Sequence, residues 1–257
     1  MNRDTLRQIV NVVSVIAVII VNSLATALPL NGQQTGEISD RFAIYFVPAG
    51  YVFSIWGLIY IGLIAFAIYQ ALPANRENPR LERSGWLFIL SCAANIAWLF
   101  CWHYEQFAWS VIAMLALLGL LIAVYLRLEI GKLVVPTGER WCIQVPISVY
   151  LGWITVATIA NITSYLYYIQ WSGWGISAEI WTVFMLLAAA GISALVALNR
   201  GDVAFLMVII WAVAGIAIKH ADTPIVAYSA WAVALFLAFL LIIAAVASRD
   251  RRKLSPA

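Results

Sequence analysis

Hydrophobic positions fall into eight long runs separated by short polar breaks. The runs cover roughly 8–28, 50–72, 85–102, 107–127, 141–164, 178–198, 203–219 and 224–247. Each is about 17–25 residues, the length at which a helix crosses the hydrocarbon of a bilayer. The breaks carry turn chemistry: Leu28-Pro29, Leu72-Pro73, Pro136-Thr137-Gly138, Asn199-Arg200-Gly201-Asp202 and Asp222-Thr223-Pro224. The pattern predicts an all-α polytopic membrane protein with eight transmembrane helices.

Polar and aromatic positions recur at helical spacing inside some of these runs. The first carries Asn11, Ser14 and Asn22 on one face at 100° per residue. The second carries Phe53, Trp56 and Tyr60 at i, i+3 and i+7, and the third repeats that stripe with Asn95, Trp98 and Trp102. In the fifth, Tyr150, Trp153, Ala157 and Asn161 fall within about 80° of arc. The last three runs have no such stripe. They are rich in Ala, Val, Leu and Ile, with Ala189, Ser193 and Ala197 at a four-residue spacing that suits close packing in lipid.

Helix–helix packing accounts for any one of these residues taken singly. Four stripes turned to one interior instead favour a concave aromatic site with a few polar contacts. The candidate ligand-binding residues are Phe53, Trp56, Tyr60, Asn95, Trp98, Tyr150, Trp153 and Asn161. Planar aromatic walls suit a planar apolar ligand, since stacked rings contribute about 0.5–1.5 kcal/mol beyond their buried area. The chain accordingly divides into a five-helix ligand-binding bundle (1–170) and a three-helix transmembrane extension with a basic tail (171–257).

Composition sharpens the class. The 257 residues are 64% hydrophobic and 11% charged, with mean hydropathy +0.94. Soluble domains run near 25% charged, so a soluble globular protein is excluded. The net charge of +3 gives no reason to expect a nucleic-acid partner. The placement of charge matters more. With eight spans, thirteen of the 15 basic residues lie on the side of the termini, and Arg41 and Lys219 lie opposite. The positive-inside rule then puts both termini in the cytoplasm of a plasma (inner) membrane. Trp102, Trp109, Trp171, Trp174 and Trp181 are expected as anchors at the outer boundary, and Trp86 and Trp141 at the inner one. The Arg249 to Lys253 cluster reads as a stop-transfer anchor. Residues 1–27 share features with a signal peptide, but the length of the run and its Asn11 and Asn22 favour a retained first helix.

Candidate chemistry is sparse. Cys92, Cys101 and Cys142 read as small apolar packing residues, without metal-ligand spacing or a geometry for a bridge. His103 and His220 read as interfacial or loop residues rather than ligands for a metal or haem iron. Glu179, at a helix start, reads as a partner of the helix dipole. There is no nucleophile–base motif and no glycine-rich phosphate loop. The expectation is a binding protein rather than an enzyme, with no metal and no required cofactor.

Three blocks resemble a known family. Pro48-Ala49-Gly50-Tyr51-Val52-Phe53, then Trp56 and Ile59-Tyr60, is similar to the start of the second helix of the tryptophan-rich sensory proteins. That family includes the mitochondrial translocator protein, the peripheral benzodiazepine receptor (TspO/MBR). Asn95-Ile96-Ala97-Trp98 resembles the Asn-x-x-Trp block of its third helix. Tyr150-Leu151-Gly152-Trp153, with Ala157 and Asn161, resembles its fifth-helix block. Tyr51 and Val149 stand where the family usually has tryptophan and proline. The gap from Phe53 to Trp56 is one residue short of the family spacing, which on an α-helix turns Trp56 by about 100°. The resemblance implies binding of porphyrins and other tetrapyrroles, and in some members of sterols and synthetic aromatic drugs. It also implies a sensing, transport or stress-regulatory role and a first loop, residues 29–47, that caps the pocket. Porphyrin or haem enters as a ligand. The expected partners are a small apolar aromatic ligand and the lipid bilayer, with a homodimer left open. An eight-helix transporter is the alternative function; it predicts two related halves, and no internal repeat is visible. Porphyrin breakdown is a third.

Overall fold

The computed structural model describes residues 2–28 and 30–254, with side chains to Arg249. Pro29 of the first break, and the side chains of Arg251, Arg252 and Lys253 in the basic cluster, lie outside what is described. All eight predicted runs form helices: α1 (Arg3–Ala27), α2 (Ile55–Ala71), α3 (Pro79–His103), α4 (Phe107–Arg127), α5 (Val145–Tyr168), α6 (Ala178–Arg200), α7 (Val203–Lys219) and α8 (Pro224–Leu254). No strand occurs among the described residues. Seven helical segments are long and apolar enough to cross a membrane. The exception, α7, has 17 residues, about 25 Å at 1.5 Å per residue, the lower limit for a span.

Local chemistry sets the helix ends. Asn78 caps α3, its side chain accepting from Arg80 N, and Pro79 occupies the first turn, where a missing N–H costs little. Asp202 caps α7 by accepting from Phe205 N, and Gly201 closes α6 in the left-handed region that glycine tolerates. A two-residue link thus reverses the chain between two apolar helices.

The packing forms a ring. Helix α1 packs on α2 and α3, α3 on α4, α4 on α5, and α5 on α2. Helices α6, α7 and α8 pack on one another, and α7 also lies against α5. The sequence gives α5 one polar–aromatic face, yet it is hemmed in on all sides. In the segment Thr137–Tyr168, 78% of the apolar window is buried, against 28–44% in the other long spans. The reason is α7, which covers the face of α5 turned away from the ring.

Glycine permits that contact. A Cβ on Gly152 of α5 would sit 3.1 Å from Val208 Cβ and 3.2 Å from the Phe205 carbonyl oxygen of α7. Close approach at small residues is the usual device in lipid, where hydrophobicity alone does not hold helices together. Gly152→Leu should therefore lower the thermal midpoint of the detergent-solubilised protein by on the order of 5 °C. Gly57→Ala, where an added Cβ meets nothing within 4 Å, should not lower it.

Candidate ligand-binding site

A small cavity of about 60 Å³ lies at one end of the ring. Phe53 and Trp56 line it from the start of α2, Trp98 and Trp102 from α3, and Trp153 and Asn161 from α5. Phe53 belongs to a 3₁₀ turn, Gly50–Ser54, that precedes α2. In a 3₁₀ helix, positions i and i+3 eclipse, so the start of α2 does not follow the α-helical 100° spacing. Phe53 and Trp56 both reach the same indole: their ring centroids lie 5.5 and 6.2 Å from that of Trp153, each edge-on. Trp56 also stacks on Tyr60 at 5.7 Å.

The predicted residues separate into two layers. Phe53, Trp56, Trp98, Trp153 and Asn161 line the cavity, whereas Tyr60, Asn95 and Tyr150 do not. Asn95 and Tyr150 join helices: Asn22 Nδ2 donates to Asn95 Oδ1 at 2.9 Å, and Asn95 Nδ2 donates to Tyr150 Oη at 3.0 Å. A second chain crosses the ring beside the cavity. Trp98 Nε1 donates to Asn161 Oδ1 at 3.0 Å, and Asn161 Nδ2 donates to Ser110 Oγ at 3.0 Å. Trp153 differs from this pattern. Its ring is buried, yet its Nε1–H has no hydrogen-bond partner in the protein.

Sequence reasoning missed part of the wall. Ser164 continues the α5 stripe at i+3 from Asn161, a signal that was there to be read. Trp102, expected as an interfacial anchor, is 4% exposed and lines the cavity, a correction explained by the loop that covers it. Trp109 and Trp174, at 62% and 77% exposed, do face outward. Thr35, Ser39, Val47 and Pro48 come from the long first loop and close the end of the cavity. No periodicity marks such loop positions.

The first loop is tied down at both ends. At its front, Trp102 Nε1 donates to the Thr35 carbonyl at 3.2 Å. His103 was expected at an interface or in a loop and is instead fully buried beneath this segment. Its Nδ1 lies 3.2 Å from the Leu30 carbonyl and its Nε2 lies 2.9 Å from Thr35 Oγ1. A carbonyl can only accept, so Nδ1 carries a proton and donates to Leu30. Glu105 takes hydrogen bonds from Gln33 at 3.2 Å and Arg41 at 2.9 Å. At its rear, the loop meets α6 and α7. Tyr45 Oη donates to Glu179 at 3.0 Å, Lys219 pairs with Asp40 at 3.2 Å, and Ala49 N donates to the Gly215 carbonyl at 3.1 Å. Glu179 thus does more than face the dipole of α6. Arg41 and Lys219, the two cations assigned opposite the termini, both hold this loop.

Among the described residues, no group of three or more His, Cys, Asp or Glu side chains is placed to hold a metal ion. The cavity is lined mostly by aromatic and small side chains, and one of its rings, that of Trp153, carries an unpaired donor. A family model described as TSPO-like protein matches residues 8–243 of the chain, a stretch that reaches into α8. The chain belongs to this TSPO-like family of membrane proteins. No curated protein and no solved structure matches it.

Hydrogen bonds from Gln33 and then Arg41 hold the Glu105 carboxyl below the usual carboxylate range. A depressed carboxylate stabilises the folded loop above its unfolded pKa, and that contribution is lost as pH falls through the depressed value. Amide exchange in residues 33–42, corrected for the intrinsic pH effect, should therefore accelerate as the pH is lowered through the carboxylate range. Glu105→Gln should speed exchange at neutral pH and flatten that dependence.

Proposed function

We propose that this TSPO-like membrane protein binds planar apolar ligands, tetrapyrroles foremost, in the aromatic cavity between α2, α3 and α5. The observation that carries the reading is the buried, unpartnered Trp153 Nε1–H inside a wall of Phe53, Trp56, Trp98 and Trp102. A donor left unpaired in such surroundings costs about 1–3 kcal/mol, and a ligand acceptor placed against it recovers that loss. The surrounding rings supply stacking on both faces of a flat molecule. Tetrapyrroles combine the two features, a wide aromatic plane and polar groups at its centre and edge.

A cavity of about 60 Å³ is too small for such a ligand. Sites for small molecules span about 300–1,000 Å³, so binding goes with movement of the loop that caps it. The front of that loop rests on α3 through the buried Trp102 and His103 and through the exposed Arg41–Glu105 pair, which by itself contributes about 0–1 kcal/mol. The rear rests on α6 and α7 through Tyr45–Glu179, Asp40–Lys219 and the Ala49–Gly215 backbone bond. Such a coupling of occupancy to loop position fits a sensor or a stress-regulated carrier at the plasma membrane, with both termini in the cytoplasm.

Titrating the purified protein with protoporphyrin IX should give saturable quenching of tryptophan fluorescence. Trp153→Phe keeps the ring and removes the donor, and should weaken binding by roughly 2–10-fold. Trp109→Phe, on the exposed surface, should leave the affinity unchanged. No saturable quenching, or quenching unaffected by both Trp98→Phe and Trp153→Phe, would overturn the reading.

A further inference from the structure

The rear of the first loop meets a titratable group that the aromatic cavity does not use. His220 follows the last residue of α7 and lies outside the membrane-spanning helices. Its ring is half-buried and meets the Tyr45 ring edge-on, with centroids 5.2 Å apart. Its Nε2 is buried and has no hydrogen-bond partner among the described residues. The loop segment it touches belongs to the cover of the cavity. Ile44, Phe46 and Val47 are buried, and Val47 and Pro48 line the cavity itself.

The charged and titratable groups of the surrounding elements are already committed to other partners or carry the same sign. On the loop, Tyr45 Oη donates to Glu179 at the start of α6, Asp40 pairs with Lys219, and Arg41 turns to Glu105 on the opposite side. Lys219, at the end of α7, is the direct chain neighbour of His220, and Asp222 follows in the link to α8. Among the described residues, no carboxylate lies within ion-pair distance of the His220 ring. Burial, and then the adjacent Lys219 ammonium, push the imidazole below its ordinary value, and the opposing pull of the Val47 and Tyr45 backbone is outweighed.

The geometry gives this a direction. A neutral imidazole leaves one ring nitrogen without a proton, and a buried Nε2 can be that one. An imidazolium carries a proton on both nitrogens. Protonation therefore sets a charge and a new donor where Nε2 has no acceptor, and both are costly away from water. The seated loop selects the neutral ring. Seating is unopposed above the ordinary imidazole value near 6.5 and weakens as pH falls from there toward the depressed value, because the ring takes its proton more readily when the loop is off.

We propose that His220 is a pH-sensitive latch on the rear of the cap: protonation of its ring unseats residues 43–48 from the end of α7 and opens that side of the aromatic cavity. The other ties at the rear do not share this dependence. Tyr45 is raised by its bond to Glu179, and Glu179 is lowered by its own backbone N–H, by Ser177 and by Tyr45, so neither titrates between about pH 5 and 8. Ala49 N bonds the Gly215 carbonyl, a backbone pair with no titration, and marks the hinge of the released segment. The latch is a property of the loop and stands whether or not the cavity takes a tetrapyrrole.

Hydrogen exchange of the full-length protein in detergent, corrected for the intrinsic pH effect, tests it at about pH 7.5 and about pH 5.5, either side of an ordinary imidazole. Residues 43–48 should exchange faster at the lower pH by several-fold, with a ceiling of about tenfold for one unit below the free value. His220→Gln should remove that difference. Tyr45→Phe keeps the ring and removes the tie to Glu179; it should speed exchange at both pH values and keep the difference. Histidine NMR of the unmodified protein gives a check that does not need a folded variant of His220: its signal, told apart from that of His103 by His103→Asn, should titrate below the ordinary value. Equal exchange of residues 43–48 at the two pH values, a difference confined to residues 30–36 beside His103, a difference that persists in His220→Gln, or a His220 ring that titrates at or above the ordinary value would overturn the proposal.

Discussion

The structure depends on one constraint: α5 is the most enclosed of the long helices, with 78% of its apolar window buried. Buried between the ring and α7, it must satisfy its polar groups from neighbouring helices, since no water is at hand. Thr155 and Thr158 bond back to the carbonyls of Leu151 and Ile154. Tyr150 takes Asn95, and Asn161 takes Trp98 and Ser110. Each such interhelical bond contributes only about 0.6–2 kcal/mol. Together they fix the rotation of α3 and α4 about α5, and Asn22 ties α1 to Asn95 of α3, which decides which rings meet. Against that background the unpaired Trp153 N–H stands out, because its neighbours on the same helix are satisfied.

The second determinant is the long first loop. It is held from one side by the end of α3 and from the other by α6 and α7. The contacts differ in kind. On the α3 side, His103 and Trp102 are buried anchors, and Glu105 with Arg41 is an exposed, salt-screened pair. On the α7 side, the Ala49 N–H bonds the Gly215 carbonyl, and the space a Cβ would need at Gly215 is taken by Val52 and Pro48. Trp211 Nε1 also donates to the Val52 carbonyl at 3.2 Å. The Pro48–Phe53 segment is therefore shaped as much by α7 as by its own proline and glycine. That gives α6 and α7 a place in the architecture of the aromatic cavity, even though they contribute no side chain to its wall.

Much of this was legible in the sequence. Run length and hydropathy gave the helices, and the 100° periodicity of Asn95, Trp98 and Trp102 on α3, and of Trp153 and Asn161 on α5, gave faces that do meet. Three things were not. Stripe periodicity cannot separate a ligand wall from a polar tie, so Asn95 and Tyr150 look the same as Trp98 until partners are seen. Loop geometry has no period, so the cover formed by Thr35, Ser39 and Pro48, and the burial of Trp102 and His103 beneath it, stayed hidden. The 3₁₀ turn at Gly50–Ser54 was also invisible, and it reconciles the short Phe53–Trp56 spacing with two rings that share one neighbour. Asp202 looked like part of a turn because its partners, Tyr125 and Ser148, lie far away in the chain.

The central claim is that the aromatic cavity is closed by the front of the first loop and that this part moves when a ligand occupies the site. Spin labels at Gly36→Cys in the loop and Ala108→Cys at the start of α4, with Cys92, Cys101 and Cys142 replaced, measure it by electron–electron distance spectroscopy. The account predicts a short, narrow distance distribution without ligand, and a longer, broader one with saturating protoporphyrin IX. A distribution that stays the same while the protein is saturated with the ligand would contradict it.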